Sequence, residues 1–341
     1  MPHVLVTGGA GFIGSHLCER LLLDGHLVTC LDNLDPYYSP SVKRANIAAA
    51  LRHPGFRFVQ GDILDGDLLD AVLSGRAGEG RIEVQGGITG GLQGPADAVV
   101  HLAALAGVRL STDHPLDYIR VNVEGTTGLL ERARRADVRH FVFASSSAVY
   151  GPGSDGPVSE SEPLRPASVY GASKVGGEVV GNAFWHLHGL PVTALRFFTV
   201  YGPRQKPDMV IHKFARLMTM GRPIPVYGDG TSARDYTYVG DTADGIVKAL
   251  AHPGGFQAFN LGNSHPVRLA SLVEKLSAAL GIEPVVERHP DQPGDVPVTW
   301  ADISRAEAQL GYRPATGLEE GLRRFVEWFR RPSAERGEEG R

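Results

Sequence analysis

The sequence predicts an α/β fold in which a parallel sheet is covered by helices on both faces and joined by a smaller C-terminal lobe. Short apolar runs alternate with helical patterns through the first part of the chain, which is typical of strands linked by crossover helices. Beyond residue 200 the pattern becomes irregular and richer in Pro and Gly. It then gives one strand-like run, Phe256–Leu261, and helices at about 268–280 and 317–330. The earlier apolar runs are residues 3–7, 27–31, 56–59, 98–102, 140–144 and 192–196.

This change of pattern divides the 341 residues into two interleaved units and a tail. Residues 1–199 with about 237–265 are expected to form the large sheet domain. Residues of about 200–236 with 266–330 are expected to form the smaller lobe, which would face the carboxyl ends of the strands. The charged tail, 331–341, is expected to be frayed.

One segment does not fit the alternating pattern. Residues 75–96 form a long Gly-rich connection before the strand at 98. Arg81–Gln85 alternates in polarity and could be one arm of a hairpin, but a surface loop is the favoured interpretation.

The bulk composition excludes several classes of protein. The content is 42% hydrophobic and 21% charged, which is ordinary for a soluble globular protein, and the formal net charge of −4 gives no sign of nucleic-acid binding. The only cysteines, Cys18 and Cys30, suit buried apolar positions and predict a reduced, cytoplasmic setting. A strand by residue 3 and the lack of a long apolar run predict neither a signal peptide nor a membrane span. The histidines show no metal-ligand spacing, so no metal site is expected.

A glycine-rich turn follows the first apolar run. Thr7-Gly8-Gly9-Ala10-Gly11-Phe12-Ile13-Gly14 leads into an amphipathic pattern at 15–22, which is the strand–turn–helix setting of a nucleotide-binding turn. Gly8 would make the tight turn, Gly11 would admit a pyrophosphate, and Gly14 would allow close helix packing. The helix N-terminus favours the anion. The sheet is therefore predicted to be a Rossmann-type, doubly wound parallel sheet.

The second strand ends in Asp32-Asn33, where a carboxylate could accept hydrogen bonds from an adenosine ribose. A 2'-phosphate would meet a negative charge there, and no Arg or Lys follows until Lys43. Asp32 therefore favours NAD over NADP.

A tyrosine and a lysine are placed for acid–base chemistry. Tyr170 and Lys174 lie one turn apart on the same face of a predicted helix. A lysine ammonium, helped by the positive ring of an oxidised nicotinamide, would lower the phenol pKa, so that Tyr170 could act as a general base. The strand at 140–144 runs into three serines, which include Ser146 and place hydroxyls where a substrate oxygen would sit.

These features resemble the extended short-chain dehydrogenase/reductase family, and within it the nucleotide-sugar 4-epimerases. The resemblance implies NAD as the cofactor, a UDP-sugar as the substrate, and no metal. It implies Ser146 as the catalytic hydroxyl, Tyr170 as the base, and Lys174 as the partner of Tyr170 and a ribose ligand. Further matches are Gly61-Asp62, His101–Ala104, Asn122, Arg196–Pro203, Arg234–Tyr236, Gly262-Asn263 and Pro293–Asp295.

The resemblance also implies which residues would contact the two ligands. Asp62 and Ile63 would flank the adenine, Arg234 would hold the diphosphate, and Ala103 and Asn122 could instead be packing residues. The implied cofactor set is Gly8, Gly11, Phe12, Ile13, Gly14, Asp32, Asn33, Asp62, Ile63, Leu102, Ala103, Ala104, Asn122, Tyr170, Lys174 and Phe197. The implied substrate set is Arg109, Ser146, Ser147, Tyr170, Thr199, Lys206, Met209, Val210, Lys213, Tyr227, Arg234, Gln292 and Asp295.

The implied reaction is oxidation followed by re-reduction. Tyr170 would take the proton from the sugar O4 while hydride leaves C4 for NAD, and the 4-keto sugar would turn over and take the hydride back on its other face. The related 4,6-dehydratases carry an Asp-Glu pair just after the serine or threonine. This chain has Ser147 and Ala148 there, so dehydration is not expected.

Three stretches resemble the UDP-glucuronate 4-epimerase branch. The glucose/galactose branch usually has Asn at the position of Thr199, Arg at Gln292 and Tyr at Thr299. The substrate carboxylate would be held by Thr199, Ser147 and a cation. The three stretches are Asp32–Tyr38, Ala106–Arg109, and Phe197–Pro203 with Pro207–Met209.

The chain departs from this branch at one cation. The branch usually has Arg just before Pro-Asp-Met, whereas this chain has Lys206, which can pair with a carboxylate but cannot make a planar two-point contact. Arg204 or Arg109 could substitute, although each is better interpreted as a surface or phosphate-facing charge. UDP-glucose and UDP-N-acetylglucosamine therefore remain alternative substrates. Uronate decarboxylation and a non-catalytic NAD-binding role are less favoured.

The family usually dimerises through helices corresponding to about 115–135 and 168–187, packed as a four-helix bundle. Val175, Val179 and Phe184 would allow such a homodimer.

Overall fold

The computed structural model describes residues 2–76, 84–86, 94–152, 156–290 and 296–338. Within these residues, seven parallel strands and one antiparallel edge strand form a large sheet, beside a three-stranded and a two-stranded sheet. The strands are β1 (His3–Thr7), β2 (Leu27–Asp32), β3 (Phe56–Gln60), β4 (Val84–Gln85), β5 (Ala98–His101), β6 (His140–Ser146), β7 (Val192–Phe197), β8 (Thr199–Tyr201), β9 (Ile224–Tyr227), β10 (Ala233–Tyr238), β11 (Phe256–Leu261), β12 (Pro266–Arg268) and β13 (Val286–His289).

The large sheet has the order β11-β7-β6-β5-β1-β2-β3-β4. The chain steps outward from β1 to β2 and β3, then returns to the other side of β1 at β5 and steps outward again. The carboxyl ends of β1 and β5 therefore border a crevice, because the connections leave these two strands in opposite directions. This arrangement confirms the predicted Rossmann-type doubly wound fold.

Helices cover both faces of this sheet. None of the helices in the described part of the chain is long and apolar enough to cross a membrane. The helices are α1 (Phe12–Leu23), α2 (Pro40–Ile47), α3 (Gly66–Leu73), α4 (Val108–Asp113), α5 (Pro115–Ile119), α6 (Thr126–Arg135), α7 (Val169–His188), α8 (Val210–Thr219), α9 (Val239–Leu250), α10 (Leu269–Leu280), α11 (Ser304–Leu310) and α12 (Leu318–Phe329). A π-helical turn, Arg120–Gly125, joins α5 to α6.

The alternation of side chains along β1 explains the two covered faces. Val4 and Val6 pack into a core that includes residues of α1 and α9, whereas Leu5 packs into a second core with α3 and α6. Successive side chains of a strand point to opposite faces, so a strand buried on both faces is apolar throughout.

The smaller lobe has a core of its own, built from α8, α10, α12 and the short strands β9 and β10. The helices predicted at 268–280 and 317–330 are α10 and α12. The short strands and α8 lie in the region that the sequence presents as irregular. Their partners are distant along the chain, as in the pairing of Thr199 with Tyr236, so no local pattern predicts them.

The C-terminal tail corrects one expectation. It was expected to be frayed, yet its last described residues, 336–338, pack onto the protein, whereas 331–335 are exposed. Arg336 is only 8% exposed, and its guanidinium lies over the rings of Trp328 and Phe329 in α12. The Ser41 hydroxyl donates a 2.6 Å hydrogen bond to the Gly337 carbonyl, which ties the tail to α2. Residues 339–341 lie outside the described part.

The Gly-rich connection, residues 75–96, also differs from what the sequence predicted. Val84 and Gln85 pair antiparallel with Val59 and Phe58 at the edge of the large sheet. The favoured interpretation as a surface loop was therefore wrong for Val84 and Gln85. These two residues form a strand, as the hairpin alternative predicted. Residues 77–83 and 87–93 lie outside the described part.

Candidate active site

A cleft of about 1040 Å³ lies at the carboxyl ends of the sheet strands and faces the smaller lobe. Its walls include the turn after β1, the ends of β2, β3, β5 and β6, the start of α7, and the segment from Phe197 to Met209. This is where ligands bind in open α/β sheets.

The glycine-rich turn lines one end of this cleft with backbone. Gly8 has a φ of +68°, a left-handed conformation that favours glycine. A Cβ at Gly14 would lie 2.7 Å from the Gly9 Cα and would also overlap the Gly8 carbonyl oxygen. The start of α1 therefore packs closely against the glycine-rich turn, and the N–H groups at the N-terminus of α1 point into the cleft. The geometry fits the pyrophosphate of a dinucleotide.

The carboxylate of Asp32 is buried beside this turn. It accepts hydrogen bonds from the N–H groups of Ala10, at 3.1 Å, and Leu34, at 2.9 Å. Burial raises the Asp32 pKa above its usual value. The Nζ of Lys43 lies 3.9 Å from an Asp32 oxygen and 4.9 Å from the centre of the Tyr38 ring. The structure therefore brings Lys43 to the point where the sequence suggested no cation, although a 2'-phosphate would still meet Asp32.

Near the adenine end of the cleft, a hydrogen bond joins the residues that follow β2 and β3. The Asn33 amide donates 2.9 Å to an oxygen of Asp62, whose other oxygen accepts from the Leu64 N–H. Asp62 and Ile63 both line the cleft, so they lie where the adenine is expected. The residues present at this end fit NAD.

Asn122 is a correction to the expected cofactor set. It lies behind the cleft wall, where its amide group exchanges two hydrogen bonds with the Leu105 backbone and donates one to the Ser173 hydroxyl. Asn122 thus packs the wall rather than lining it, as the alternative interpretation had it. Leu102, Ala103, Ala104 and Phe197 do line the cleft.

The three predicted catalytic residues meet in the middle of the cleft. Ser146 ends β6, and its side chain lies beside the Tyr170 hydroxyl and lowers the phenol pKa. Tyr170 stands in the first turn of α7, which is capped by a 3.0 Å bond from the Gly171 N–H to the Ser168 hydroxyl. Lys174, one turn later, donates from Nζ to the Ala144 carbonyl at 2.8 Å, and this Nζ is 5.9 Å from the centre of the Tyr170 ring.

Burial controls the proton affinities of this group. It lowers the pKa of Lys174 to about 7. It raises the pKa of Tyr170, and the hydrogen bond from Ser146 offsets only part of that rise. Because Lys174 is only partly charged at neutral pH, the protein's own side chains do not produce the predicted lowering of the phenol pKa. The lowering then depends on the second charge in the prediction, that of the oxidised nicotinamide.

The other half of the cleft gathers polar side chains from separate segments. Ser147 follows Ser146, and Thr199 begins β8. The Nζ of Lys206 lies 4.0 Å from an oxygen of Asp208 and 5.1 Å from the centre of the Tyr37 ring. Met209 and all of these residues line the cleft. Burial lowers the pKa of Lys206.

The three arginines near this half have different positions. Arg109 and Arg234 line the cleft. The guanidinium of Arg109 lies 5.4 Å from the centre of the Tyr227 ring. Arg204 is directed away and pairs with Glu19 of α1 at 2.7 Å. Arg204 is therefore no substitute for the expected arginine, and Arg109 and Lys206 remain.

Several residues of the implied substrate set are not brought to the cleft wall. Val210 packs against the core of the smaller lobe, Lys213 lies further along α8, and Tyr227 lies beneath Arg109 rather than on the wall. Gln292 and Asp295 lie outside the described residues.

Lys43, Tyr37, Asp208 and Tyr118 are among the cleft-lining residues that the predicted site sets did not include. The Tyr37 hydroxyl donates a 2.7 Å hydrogen bond to Asp208, which links the loop after β2 to the segment after β8. The Tyr118 ring lies edge-on to Tyr170, with 6.3 Å between ring centres. Tyr37 and Asp208 stand inside stretches that carry the family resemblance, which was the available signal, whereas nothing in the sequence marks Tyr118.

The sequence profile of the NAD dependent epimerase/dehydratase family matches residues 4–84 and 89–262, which is most of the chain. The chain belongs to this family. A probable UDP-glucuronate 4-epimerase from Rhizobium meliloti is 36% identical over 345 residues, which cover 95% of this chain and 96% of that protein. The resemblance stated from the sequence is confirmed.

Solved structures of family members agree with this chain over nearly its whole length. The UDP-glucuronic acid 4-epimerase from Bacillus cereus, in complex with UDP-glucuronic acid and NAD, matches with a TM-score of 0.86 at 34% identity, covering 96% of this chain and 98% of that one. The UDP-glucose 4-epimerase from Thermotoga maritima with UDP-glucose matches with a TM-score of 0.83 at 32% identity, covering 96% and 98%.

Proposed function

We propose that this protein is an NAD-dependent UDP-sugar 4-epimerase that interconverts UDP-glucuronate and UDP-galacturonate. The observation that carries the proposal is the meeting of Ser146, Tyr170 and Lys174 between a dinucleotide-type turn and a second polar half of the same cleft. The relatives from Rhizobium meliloti and Bacillus cereus bear the name of a UDP-glucuronate 4-epimerase, which supports the proposal.

The roles of the side chains follow from their places. Ser146 holds the sugar O4 and the Tyr170 oxygen together, and Tyr170 takes the O4 proton and later returns it. Lys174 stabilises the phenolate whenever it is protonated. The glycine turn, Asp32, Asn33 and Asp62 would hold NAD. Bound there, NAD would supply a hydride acceptor for C4 and then a hydride donor to the opposite face of the oxidised sugar, which inverts C4.

The uronate is favoured by the cation beside Thr199. The Lys206 side chain is 21% exposed, so water only partly screens its attraction for a carboxylate. With Ser147 and Thr199 it offers two hydroxyls and one ammonium to a planar anion. A neutral sugar remains the alternative, because Lys206 already has Asp208 at 4.0 Å and a substrate carboxylate would have to compete with it.

The test is to incubate the purified protein separately with UDP-glucuronate, UDP-glucose and UDP-N-acetylglucosamine and to identify the products by proton NMR. Conversion of the uronate alone to its 4-epimer supports the proposal. Conversion of a neutral sugar alone would replace the uronate by that sugar. A pentose product with carbon dioxide would mean decarboxylation. No conversion, with bound NAD that is never reduced, would mean a non-catalytic NAD-binding protein.

We also propose that residues 200–236 and 266–330 form the nucleotide-sugar lobe, with Arg234 on the diphosphate. Arg234 sits on β10, where its guanidinium donates 2.9 Å to the Ala233 carbonyl and still lines the cleft. Arg234→Gln is expected to raise the KM for the UDP-sugar about tenfold, the worth of a charge-assisted hydrogen bond, with little change in bound NAD.

The assembly we propose is a homodimer, located in the cytoplasm since both cysteines are free thiols. Helices α5 and α7 lie side by side and leave apolar side chains uncovered: Leu116 is 81% exposed, Val179 61% and Leu187 75%. Val175 and Phe184, also expected at this interface, are partly buried in the protein's own cores. Light scattering should give twice the chain mass, and Val179→Asp should lower it to one chain. Leu23→Asp, at an exposed leucine of α1, is the control that should leave the mass unchanged.

A further inference from the structure

A buried polar network lies directly behind the catalytic group. Glu178 and Arg196 form an ion pair with both side chains 4–5% exposed. Two guanidinium nitrogens of Arg196 donate to the two carboxylate oxygens, at 3.0 and 2.7 Å. The Ser145 hydroxyl donates to the same carboxylate. None of these three side chains is assigned a role by the proposed chemistry.

Two of the three residues come from β6 and α7, which carry the catalytic group, and the third comes from the neighbouring strand β7. Ser145 precedes Ser146 at the end of β6, and Arg196 is its register partner on β7. Glu178 is one turn beyond Lys174 on α7, and Tyr170, Lys174 and Glu178 recur every four residues, so they share one face of the helix. We call Ser145, Glu178 and Arg196 the register clamp.

The network continues beyond the clamp. A third nitrogen of Arg196 donates to the Tyr150 hydroxyl at 3.0 Å, and Tyr150 donates to Asn260 of β11 at 2.6 Å. Tyr150 ends the turn that begins at Ser147, so the loop after Ser146 is tied to the same guanidinium.

An ion pair at this depth is a poor way to gain stability. Removing two charges from water costs free energy that their mutual attraction seldom exceeds, and well-packed apolar residues often serve the fold equally well. What a bidentate pair adds is geometry, because two parallel N–H···O bonds permit little sliding.

Sliding would matter here. An α-helix rises 1.5 Å per residue, and a displacement of about 1 Å in a catalytic group can cost about a hundredfold in rate. Apart from the clamp, α7 is tied to β6 near the cleft through Lys174 and Ala144 and through the Ser146–Tyr170 contact itself.

We propose that Ser145, Glu178 and Arg196 are positioning residues that fix the register of α7 against β6 and so hold Tyr170 and Lys174 at Ser146. This inference rests on the proposed function for its kinetic test. The clamp acts through the helix: Glu178 and Arg196 lie outside the cleft wall, and Ser145, which borders the cleft, donates its hydroxyl hydrogen bond to Glu178.

The first experiment replaces the pair by apolar residues, Glu178→Leu with Arg196→Met, in the NAD-loaded enzyme. The melting temperature is expected to stay near that of the unmodified protein, while kcat falls at least about tenfold and KM changes less than about twofold. The control is Glu131→Gln, in an ion pair on the exposed face of α6, which should change neither. A folded double variant with the original kcat would overturn the proposal.

A second readout needs no sugar. Tyr170 is faced by Ser146, by Lys174 and by Tyr118, and its titration is followed by ultraviolet difference absorbance against Tyr170→Phe in each background. Loss of register predicts a higher phenol pKa in the double variant, since the Ser146 bond and the nearby ammonium are weakened. Loss of the ion pair without movement removes one charge of each sign and predicts a nearly unchanged pKa. An unchanged or lower pKa in a folded variant contradicts the proposal. If the unmodified enzyme epimerises no UDP-sugar, the proposed function fails, and this titration still decides the clamp.

Ser145→Ala covers the case in which the double variant does not fold, because it removes one oxygen only. The clamp predicts a fall in kcat of about threefold or more, within the usual worth of one hydrogen bond, with an unchanged KM. An unchanged kcat and an unchanged Tyr170 titration in this variant would count against the clamp.

Discussion

The two halves of the cleft are built by different means. The cofactor half is formed mainly by backbone atoms. The turn after β1 packs closely against α1, and two backbone N–H groups donate hydrogen bonds to Asp32. The sugar half is formed mainly by side chains, and three of them, those of Ser147, Thr199 and Lys206, come from separate segments of the chain. A half built from backbone cannot change without disturbing the fold, whereas a half built from side chains can change its ligand at little cost. The substrate should therefore be easier to alter than the cofactor.

The largest expected effect is at Tyr170, where the two halves meet. Tyr170→Phe removes the oxygen that, as a phenolate, accepts the O4 proton, so kcat should fall about a thousandfold, within the usual worth of a general base. Bound NAD should be retained, because the backbone-built half is untouched. Turnover by NMR and NAD content after denaturation measure the two. Tyr238→Phe, on β10 outside the cleft, is the matched control. Near-normal turnover in Tyr170→Phe would remove the assigned base.

A smaller effect is expected at Lys206. Lys206→Gln should lower kcat/KM for UDP-glucuronate about ten- to a hundredfold, the worth of a charged hydrogen bond, and should leave kcat/KM for UDP-glucose nearly unchanged. Lys206→Arg should keep or improve the uronate activity, because a guanidinium can bind the carboxylate at two points. Lys275→Gln, a lysine paired with Glu319 on the surface of the smaller lobe, is the control. Equal losses on both sugars would show that Lys206 does not read the carboxylate.

A comparable cost, but in folding rather than specificity, is expected at Gly14. Gly14→Ala places a Cβ against the turn, so it should destabilise the protein by about 1–3 kcal/mol and weaken NAD binding. Gly128→Ala is the matched helical control, because its Cβ would lie 3.7 Å from an Arg132 nitrogen, an ordinary contact. Urea unfolding and NAD titration measure both variants. If Gly14→Ala bound NAD normally, the close packing of α1 would not be what holds the cofactor half together.

The last effect is gradual, a slope of stability with pH in protein stripped of cofactor. The unfolded chain keeps Lys174 protonated up to its ordinary pKa of 10.5, whereas the folded protein loses that proton at about 7. The unfolded state therefore binds more protons between these values, and this residue makes the unfolding free energy rise with pH by up to about 1.4 kcal/mol per unit. Below pH 7 the burial cost is present in full. Urea unfolding at several pH values should show this rise, and Lys174→Met should lose it.

The sequence-based predictions were most successful in the cofactor half. The glycine turn, the strand ending at Asp32, and the α7 residues Tyr170 and Lys174 are each encoded by neighbours along the chain. Periodicity and spacing are local properties, and a local pattern is enough to predict a strand, a turn or a helical face. The short strands of the smaller lobe escaped prediction because their pairing partners lie far away along the chain.

The sequence by itself determined the α/β class, the succession of the main sheet strands, the family, and the types of side chain available for catalysis. Only the tertiary structure decided which of those side chains meet. It brought Lys43 to Asp32, turned Arg204 away to Glu19, placed Asn122 behind the wall, and set Glu178 against Arg196. Each of these contacts joins segments whose separation in space depends on the packing of the whole sheet and its helices, and spacing along the chain carries no measure of that distance.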